Sequence, residues 1–324
     1  MKLDLGQIKS VTVGAINVYC ENDGIHFAKC TQKQIDAWYA KREDIGKRAT
    51  MTAGIRLDFH TNSSTLRFSA SSGKKYEVYI DGLFKKLFDM DELRERKSAA
   101  EITLSEDGAE HRVTLYLPAH NEAGVISYVE LDDGASLVPH KFDTKILFLG
   151  DSITQGAAAE HDSLSFTNRV SRFFNAESII NGIGSAYFNE EAFDSIDFRP
   201  DTVIVAFGTN DFDHYPSIES MKHHANAYLE LVAAEYSSCA RNLFYISPIW
   251  RGDLDKRERA VGTFEECRAA LAEIAVYRGF IHVDGYELLP HSPDMFGDRF
   301  IIHPNDDGFA HYAKNLIEKI KKYI

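Results

Sequence analysis

KILFLGDSITQG (residues 145–156) places four apolar residues among the five before Gly150, then an Asp–Ser pair and a polar turn closed by Gly156. Two readings of Ser152 follow. Asp and Ser are favoured helix N-caps, so the pair could simply open a helix. A short side chain at a strand-to-helix turn also stands at the carboxyl edge of an open α/β sheet, where such folds put their ligands.

The chain on either side discriminates between them. From residue 144 onward, apolar strands TKILFLG, ESIING, TVIVAFG, NLFYISPI and FIHVDG alternate with amphipathic segments 163–175, 217–238, 256–278 and 306–323. That alternation is the signature of a parallel sheet covered by helices. Before residue 144 the grammar differs. SVTVGAINVY, GIRLDFHT, STLRFSAS, KYEVYIDG, AEITLSED, HRVTLYLP and GVISYVELDDG alternate with period 2 between NDG, NSS, SSGK, EDG and DDG turns, which predicts a β-sandwich. The polar PHKFD at 139–143 marks the boundary, giving domains at 1–143 and 144–324. Only 32–45, QKQIDAWYAKREDI, has helical character in the first half, and KREDIGKR at 41–48 reads as a solvated face because it mixes both charge signs.

Four polar stretches follow apolar strand ends or occupy the last loop: Ser152 after the first strand, NGIGS (181–185) after the second, GTND (208–211) after the third, and HPND (303–306) before the final helix. Strand ends converge in a doubly wound sheet, so these stretches are expected at one crevice. Their chemistry is complementary. Acyl transfer through serine needs a hydroxyl nucleophile, an imidazole that takes and returns its proton, and donors aimed at the oxyanion. Ser152 supplies the hydroxyl and its own N–H, His303 the base, Gly184 a backbone N–H and Asn210 a side-chain amide. Asp151 is expected to bond the neighbouring turn. Trp250 and Arg251, in SPIWRGD after the fourth strand, are candidates for substrate contact, with apolar packing at the loop base an equal alternative for Trp250.

GDSITQG, NGIGS, GTND and HPND resemble, in that order, blocks I, II, III and V of the SGNH (GDSL-type) hydrolases over about residues 144–324. The resemblance implies a three-layer, flavodoxin-like parallel sheet with Ser152 as nucleophile, Gly184 and Asn210 in the oxyanion hole and His303 as base. A leading β-sandwich, jelly-roll-like, is similar to the architecture of carbohydrate esterase family 2, whose members remove acetyl groups from sugars. Two positions depart from the superfamily pattern. Block II commonly ends in glycine where this chain has Ser185 or Ala186, so the backbone donor is Gly182, Gly184 or Ser185. The supporting acid normally lies three residues before the histidine, where Phe300 stands here. Asp298, five residues before His303 in GDRFIIH, is the nearest preceding acid. Side chains five apart in an extended strand face opposite ways. Either a bulge brings Asp298 to the ring, or His303 works in a dyad held by a backbone carbonyl.

Composition narrows the partners. A formal net charge of −13 disfavours nucleic acid and anionic membranes, since phosphate binding depends on Lys and Arg. No apolar run approaches the roughly 18 residues of a membrane helix. MKLDLGQIKSVTVG carries no signal-peptide core, and four cysteines without CxxC spacing suit buried thiols, so a cytoplasmic location is expected. His161, His291 and the His223–His224 pair lack a metal-ligand pattern such as HExxH, so neither metal nor cofactor is expected. GxSxG is absent around Ser152, which argues against the common α/β-hydrolase lipases. The expected activity is hydrolysis of short-acyl esters of small molecules or oligosaccharides, with self-association left open. The rivals are a lipid esterase or thioesterase on the same site, disfavoured by the polar loops AAAEHDSLS, DFDHYPS and IWRGDLDK, and an inactive carbohydrate-binding protein, disfavoured by the joint presence of Ser, Asn and His.

Overall fold

The computed structural model describes residues 1–119, 122–253 and 259–324, and these group into two compact units. The first holds residues 1–29, 50–142 and 161–163; the second holds 30–49, 143–160 and 164–324. The expected boundary at 143 is where the chain enters the second unit, but residues 30–49 belong to that unit too, against the division at 143 read from the sequence.

The first unit opens with helix α1 (Leu5–Val11) and strands β1 (Thr12–Val13), β2 (Asn17–Glu21) and β3 (Gly24–Ala28). Helices α2 (Gln32–Lys41) and α3 (Glu43–Ala49) come next in the chain and are part of the second unit. The first unit then continues through β4 (Arg56–Thr61), β5 (Thr65–Ser72), β6 (Lys75–Ile80), β7 (Leu83–Asp89), α4 (Met90–Glu95), β8 (Ala100–Thr103), β9 (His111–Tyr116), β10 (Val125–Leu131) and β11 (Val138–Pro139). The strands form two antiparallel sheets, β1-β4-β9-β6-β7 with β11 on β4, and β2-β3-β10-β5-β8. Inward residues of both sheets, among them Phe59, Val78, Val113, Phe68 and Val129, join a single apolar core. Phe59 faces Val113 and Leu57 faces Leu115 across the β4–β9 ladder, the cross-strand pairing that stabilises a sheet. The alternation found most of these strands. It missed β7, whose first four residues are exposed and include Lys85 and Lys86, because an edge strand need not alternate. SVTVGAINVY begins in helix rather than strand, since Asp4 and Gln7 cap α1 reciprocally.

Residues 161–163 join the first unit through buried polar contacts. Ser163 donates its N–H to Glu77 Oε1 (3.0 Å), and Asp162 Oδ2 accepts the Gly54 N–H (3.0 Å). The Glu77 carboxyl, 1% exposed, thus accepts from the Ser163 N–H, the kind of partner a buried polar group requires.

The second unit is built on five parallel strands, β12 (Thr144–Gly150), β13 (Ala176–Gly182), β14 (Thr202–Ala206), β15 (Asn242–Ile246) and β16 (Ile281–Val283). Their spatial order, β13-β12-β14-β15-β16, is the flavodoxin-like 2-1-3-4-5. Its helices are α5 (Ser152–Gln155), α6 (Phe166–Phe173), α7 (Asp211–His214), α8 (Ile218–Tyr236), α9 (Phe264–Tyr277) and α10 (Asp306–Ile320), besides α2 and α3. The central strands are apolar on both faces: Ile146, Leu147, Phe148, Val203, Ile204 and Val205 are all 0% exposed, as a sheet covered on both sides requires. Helix α9 begins at Phe264, where Thr263 and Glu266 form a capping box, eight residues later than expected; the first three residues of the expected helix, 256–258, lie outside the described residues.

Helices α6 and α10 meet through Phe166 and Tyr312, whose rings stack at 4.0 Å with 1° between planes, both under 3% exposed. Phe166→Ala removes that stack and leaves a cavity between helices and sheet. The expected cost is about 3–5 kcal/mol, read as an earlier denaturant transition for the second unit; a midpoint equal to wild type contradicts this packing.

Candidate active site

The turn after β12 is shaped by close backbone approach. In the parallel ladder Gly150 lies opposite both Gly182 and Ala206. A Cβ on Gly150 would stand 2.7 Å from Ala206 O and closer still to Thr154 Oγ1, and one on Gly182 would stand 2.3 Å from Gln155 N. Neither position admits a side chain, so the first turn of α5 presses against the neighbouring strand ends. Asp151 caps it by accepting the Ile153 N–H at 2.9 Å. The two sequence readings of the pair therefore divide between its members: Asp151 is the cap, and Ser152 is left to face the carboxyl edge. Because β12 and β14 flank the point where strand order reverses, Ser152 and the GTND loop stand at the topological switch point.

The Ser152 hydroxyl lies 2.8 Å from His303 Nε2, and His303 Nδ1 lies 2.7 Å from Asp298 Oδ2. The approach to His303 is neither an extended strand nor a bulge. The chain wraps around the Asp298 carboxylate: Oδ1 accepts from Phe300 N (2.7 Å) and Ile302 N (3.4 Å), and Oδ2 accepts from His303 N (2.6 Å) as well as from the ring. Ile301 completes the turn at φ +57°, a region β-branched residues rarely enter. It is held there by the Gly252 N–H, which donates to Ile301 O at 2.9 Å. Phe300, at the position three before the histidine, is 58% exposed and points away. Burial pushes the Asp298 carboxyl up, but the His303 N–H, the His303 ring and the Phe300 N–H outweigh it and hold the group below the usual carboxylate range. An ionised Asp298 only accepts hydrogen bonds, so the ring proton sits on Nδ1 and the Nε2 lone pair faces Ser152.

The NGIGS loop differs from expectation in its donor. The Gly184 N–H is not free: it donates to Gln155 Oε1 at 2.7 Å. Ile183 N donates to Gly150 O (3.0 Å), Ala186 N to Ile183 O (3.0 Å), and Gly182 lies within the β12–β13 ladder. Among residues 183–186 this leaves the Ser185 N–H outside every described hydrogen bond, with Ser185 at φ +65°. Glycine enters that region freely, whereas a serine does so at a cost. Asn210 Nδ2 donates to Ala186 O at 2.8 Å, tying the GTND loop to the same segment and keeping its second amide hydrogen in reserve.

Arg251 does not serve as a surface contact. It is 3% exposed, its Nη1 donates to Thr209 O (3.0 Å), and its other nitrogens bond Asp253 (2.7 and 2.8 Å) and Asp213 (3.2 Å). The guanidinium is consumed in bracing the residue before Asn210. Trp250 packs against the core and stacks on His291 at 5.7 Å. The loop IWRGDLDK is described only to Asp253, the rest lying outside the described residues. Two residues escaped the sequence reading, Gln155 and Arg48. Arg48 Nη1 reaches Gly184 O (3.4 Å) and the Ser185 hydroxyl, so one end of KREDIGKR is not a solvated face. Gln155 follows the block I serine by three, one turn along the helix, and that spacing was the available signal.

Residues 148–311, just over half the chain, match the model of the GDSL-like lipase/acylhydrolase family. No curated protein sequence matches. Among solved structures, a salicylyl-acyltransferase from a tetracycline biosynthetic pathway superposes with a TM-score of 0.76 at 16% identity, covering 96% of this chain and 94% of that one. An acetyl xylan esterase from the rumen bacterium Butyrivibrio proteoclasticus gives 0.64 at 13% identity over 99% and 98%. A family two carbohydrate esterase from Clostridium thermocellum, in complex with cellohexaose, gives 0.62 at 17% identity over 84% and 93%. At these identities the likeness is one of fold. Among the described residues no helix is long and apolar enough to cross a membrane. Three metal-ligand types converge at Glu21, Asp23 and His26 of the first unit, and His26 Nε2 is already 2.7 Å from Asp23 Oδ1.

Two further carboxyls lie under the loops. Burial drives Asp151 up to about 7 against its bonds to Ile153 and Thr154. Burial likewise drives Asp211 up to about 7, with the bond from Phe188 N opposing and the charge of Asp151 adding to the rise. Such acids ionise near 4 in an unfolded chain, so between about pH 4 and 7 the native state keeps protons that the unfolded state has lost, and stability falls as pH rises through that window. Asp211→Asn, which cannot ionise, is expected to gain on wild type across it by at least about 2–4 °C in Tm, the shift that 1 kcal/mol produces in a domain of this size. A Tm difference independent of pH contradicts the raised carboxyl.

Proposed function

The chain belongs to the GDSL-like lipase/acylhydrolase family, and on that premise we propose that it is a serine esterase removing acetyl or other short acyl groups from carbohydrate esters. The observation that carries the proposal is the relay Ser152–His303–Asp298, 2.8 and 2.7 Å in its two links, at the switch point of the sheet. In this reading His303 Nε2 takes the Ser152 proton as Oγ attacks the ester carbonyl, then gives it to the departing sugar oxygen. Water, activated by the same nitrogen, hydrolyses the acyl-serine. Asp298 fixes the tautomer and balances the charge of the imidazolium. The oxyanion receives the N–H groups of Ser152 and Ser185 and the second amide hydrogen of Asn210, the Gly184 N–H being taken by Gln155.

Polar residues dominate the loops after the first and third strands, which favours a small acyl group and a hydroxylated acceptor over a long lipid chain. Proteins sharing this fold include carbohydrate esterases. The first unit is read as a jelly-roll-like sandwich domain ending near residue 143, and the hydrolase domain as residues 144–324 together with 30–49.

Ser152→Ala is expected to keep the fold and lose at least ~10³-fold in p-nitrophenyl acetate turnover; a variant retaining a tenth of wild-type activity defeats the serine reading. Asp298→Asn should lower kcat by up to about 10⁴-fold, because the amide can no longer hold the Nδ1–H tautomer. A kcat within threefold of wild type assigns the support of His303 to the backbone instead. A panel of acetylated mono- and oligosaccharides against longer acyl esters tests the substrate class, and preference for the longer chains overturns it.

A further inference from the structure

Ser185 occupies the left-handed region at φ +65°, which an L side chain enters only at a cost. Glycine avoids that cost, so something in this chain compensates for keeping serine. The Ser185 hydroxyl has one described partner, Nη1 of Arg48, which also reaches Gly184 O at 3.4 Å. Arg48 comes from α3, more than a hundred residues earlier in the chain. Its stem crosses Gly184 so closely that a Cβ there would stand 2.6 Å from Arg48 Cδ, although the φ of Gly184 is not in the left-handed region. A side chain at Gly184 would therefore displace Arg48.

The guanidinium is delivered by a fastened scaffold. Trp38 of α2, 3% exposed, meets Tyr187 edge-on at 5.4 Å, two residues beyond Ser185. The Thr31 hydroxyl donates to Asp194 Oδ2 at 2.6 Å, Lys33 Nζ to Phe193 O at 3.2 Å, and Lys41 pairs with Glu191 at 2.6 Å. One turn before Arg48, Asp44 Oδ2 lies 3.1 Å from Nη1 and orients it from behind.

We propose that Arg48 is a positioning residue for ester hydrolysis: by bonding the Ser185 hydroxyl it holds Ser185 in the left-handed conformation that presents its N–H to the oxyanion. The inference rests on the proposed reading of Ser152 and the oxyanion loop. Arg48 touches neither substrate nor reacting atoms in it, and its effect passes through Ser185. Displacing a donor without deleting it costs less than the ~10²–10³-fold of outright loss, so about 10- to 10²-fold in kcat is expected for Arg48→Met, which keeps an apolar stem and removes the donors. KM should stay within about threefold and Tm close to wild type, since an oxyanion donor acts mainly in the transition state.

The decisive measurement is a double-mutant cycle with Ser185→Gly on p-nitrophenyl acetate, with Arg48→Lys alongside. Glycine enters the left-handed region without help and offers no hydroxyl, so in that background Arg48→Met should cost less than threefold, whatever kcat Ser185→Gly itself has. Lysine, keeping one donor, should fall between Arg48→Met and wild type. The proposal is overturned by a kcat for Arg48→Met within threefold of wild type, by a loss confined to KM, or by an equal loss in the Ser185→Gly background. Ser152→Ala separates the levels of failure: residual turnover there defeats both readings, whereas an inactive Ser152→Ala beside an indifferent Arg48→Met defeats this one alone.

Discussion

The site depends on a register. Gly150 at the end of β12 stands opposite Gly182 of β13 and Ala206 of β14, and the glycines leave no side chain between the strand ends and the first turn of α5. Because Gln155 N would lie 2.3 Å from a Cβ on Gly182, the turn carrying Ser152 can close against β13 only while that position is bare. From this contact follow the placement of Gln155 beside the NGIGS loop and the loss of the Gly184 N–H to its side chain, while the next N–H, that of Ser185, enters no described hydrogen bond. The central strands are apolar on both faces, so polarity alone does not set this register; the close backbone approaches at Gly150 and Gly182, which admit no side chain, do.

What the sequence made legible was whatever periodicity and strand ends encode. The switch from period-2 segments to alternating strand and helix located the second unit, and Ser152, Asn210 and His303 were singled out because each follows a recognisable strand end or precedes a terminal helix. What it hid were contacts that no local rule specifies. The six residues from Asp298 to His303 were judged by the geometry of an extended chain, whereas Ile301 at φ +57° turns the segment back so that one carboxylate collects three backbone N–H groups and the ring. Arg251 looked like a loop residue facing substrate, but a buried guanidinium needs partners, and Thr209 O, Asp213 and Asp253 supply them internally. Arg48 was hidden for a different reason. It lies among strands in the sequence and among helices in space, because residues 30–49 leave the first unit for the second.

Three aspartates around the loops show how position sets the charge of one side-chain type. Asp298 is only partly buried, and its backbone and ring donors hold it ionised. Asp151 and Asp211 are enclosed at 2% and 0% exposure, so desolvation outweighs their backbone donors and drives both upward. Under the proposed mechanism this division has a use. Asp151 precedes the nucleophile directly, and an ionised carboxylate there would oppose the negative charge that develops on the substrate oxygen at the Ser152 N–H. With its carboxyl raised by burial, it caps the turn through the Ile153 N–H with less negative charge there than an ordinary aspartate would carry. The negative charge the reaction requires is kept on the far side of the imidazole, at Asp298, where it stabilises the cation formed as Ser152 gives up its proton. Cap and counter-ion are thus the same residue type separated by burial, and exchanging their environments would place negative charge beside the oxyanion and leave the imidazolium without a counter-ion.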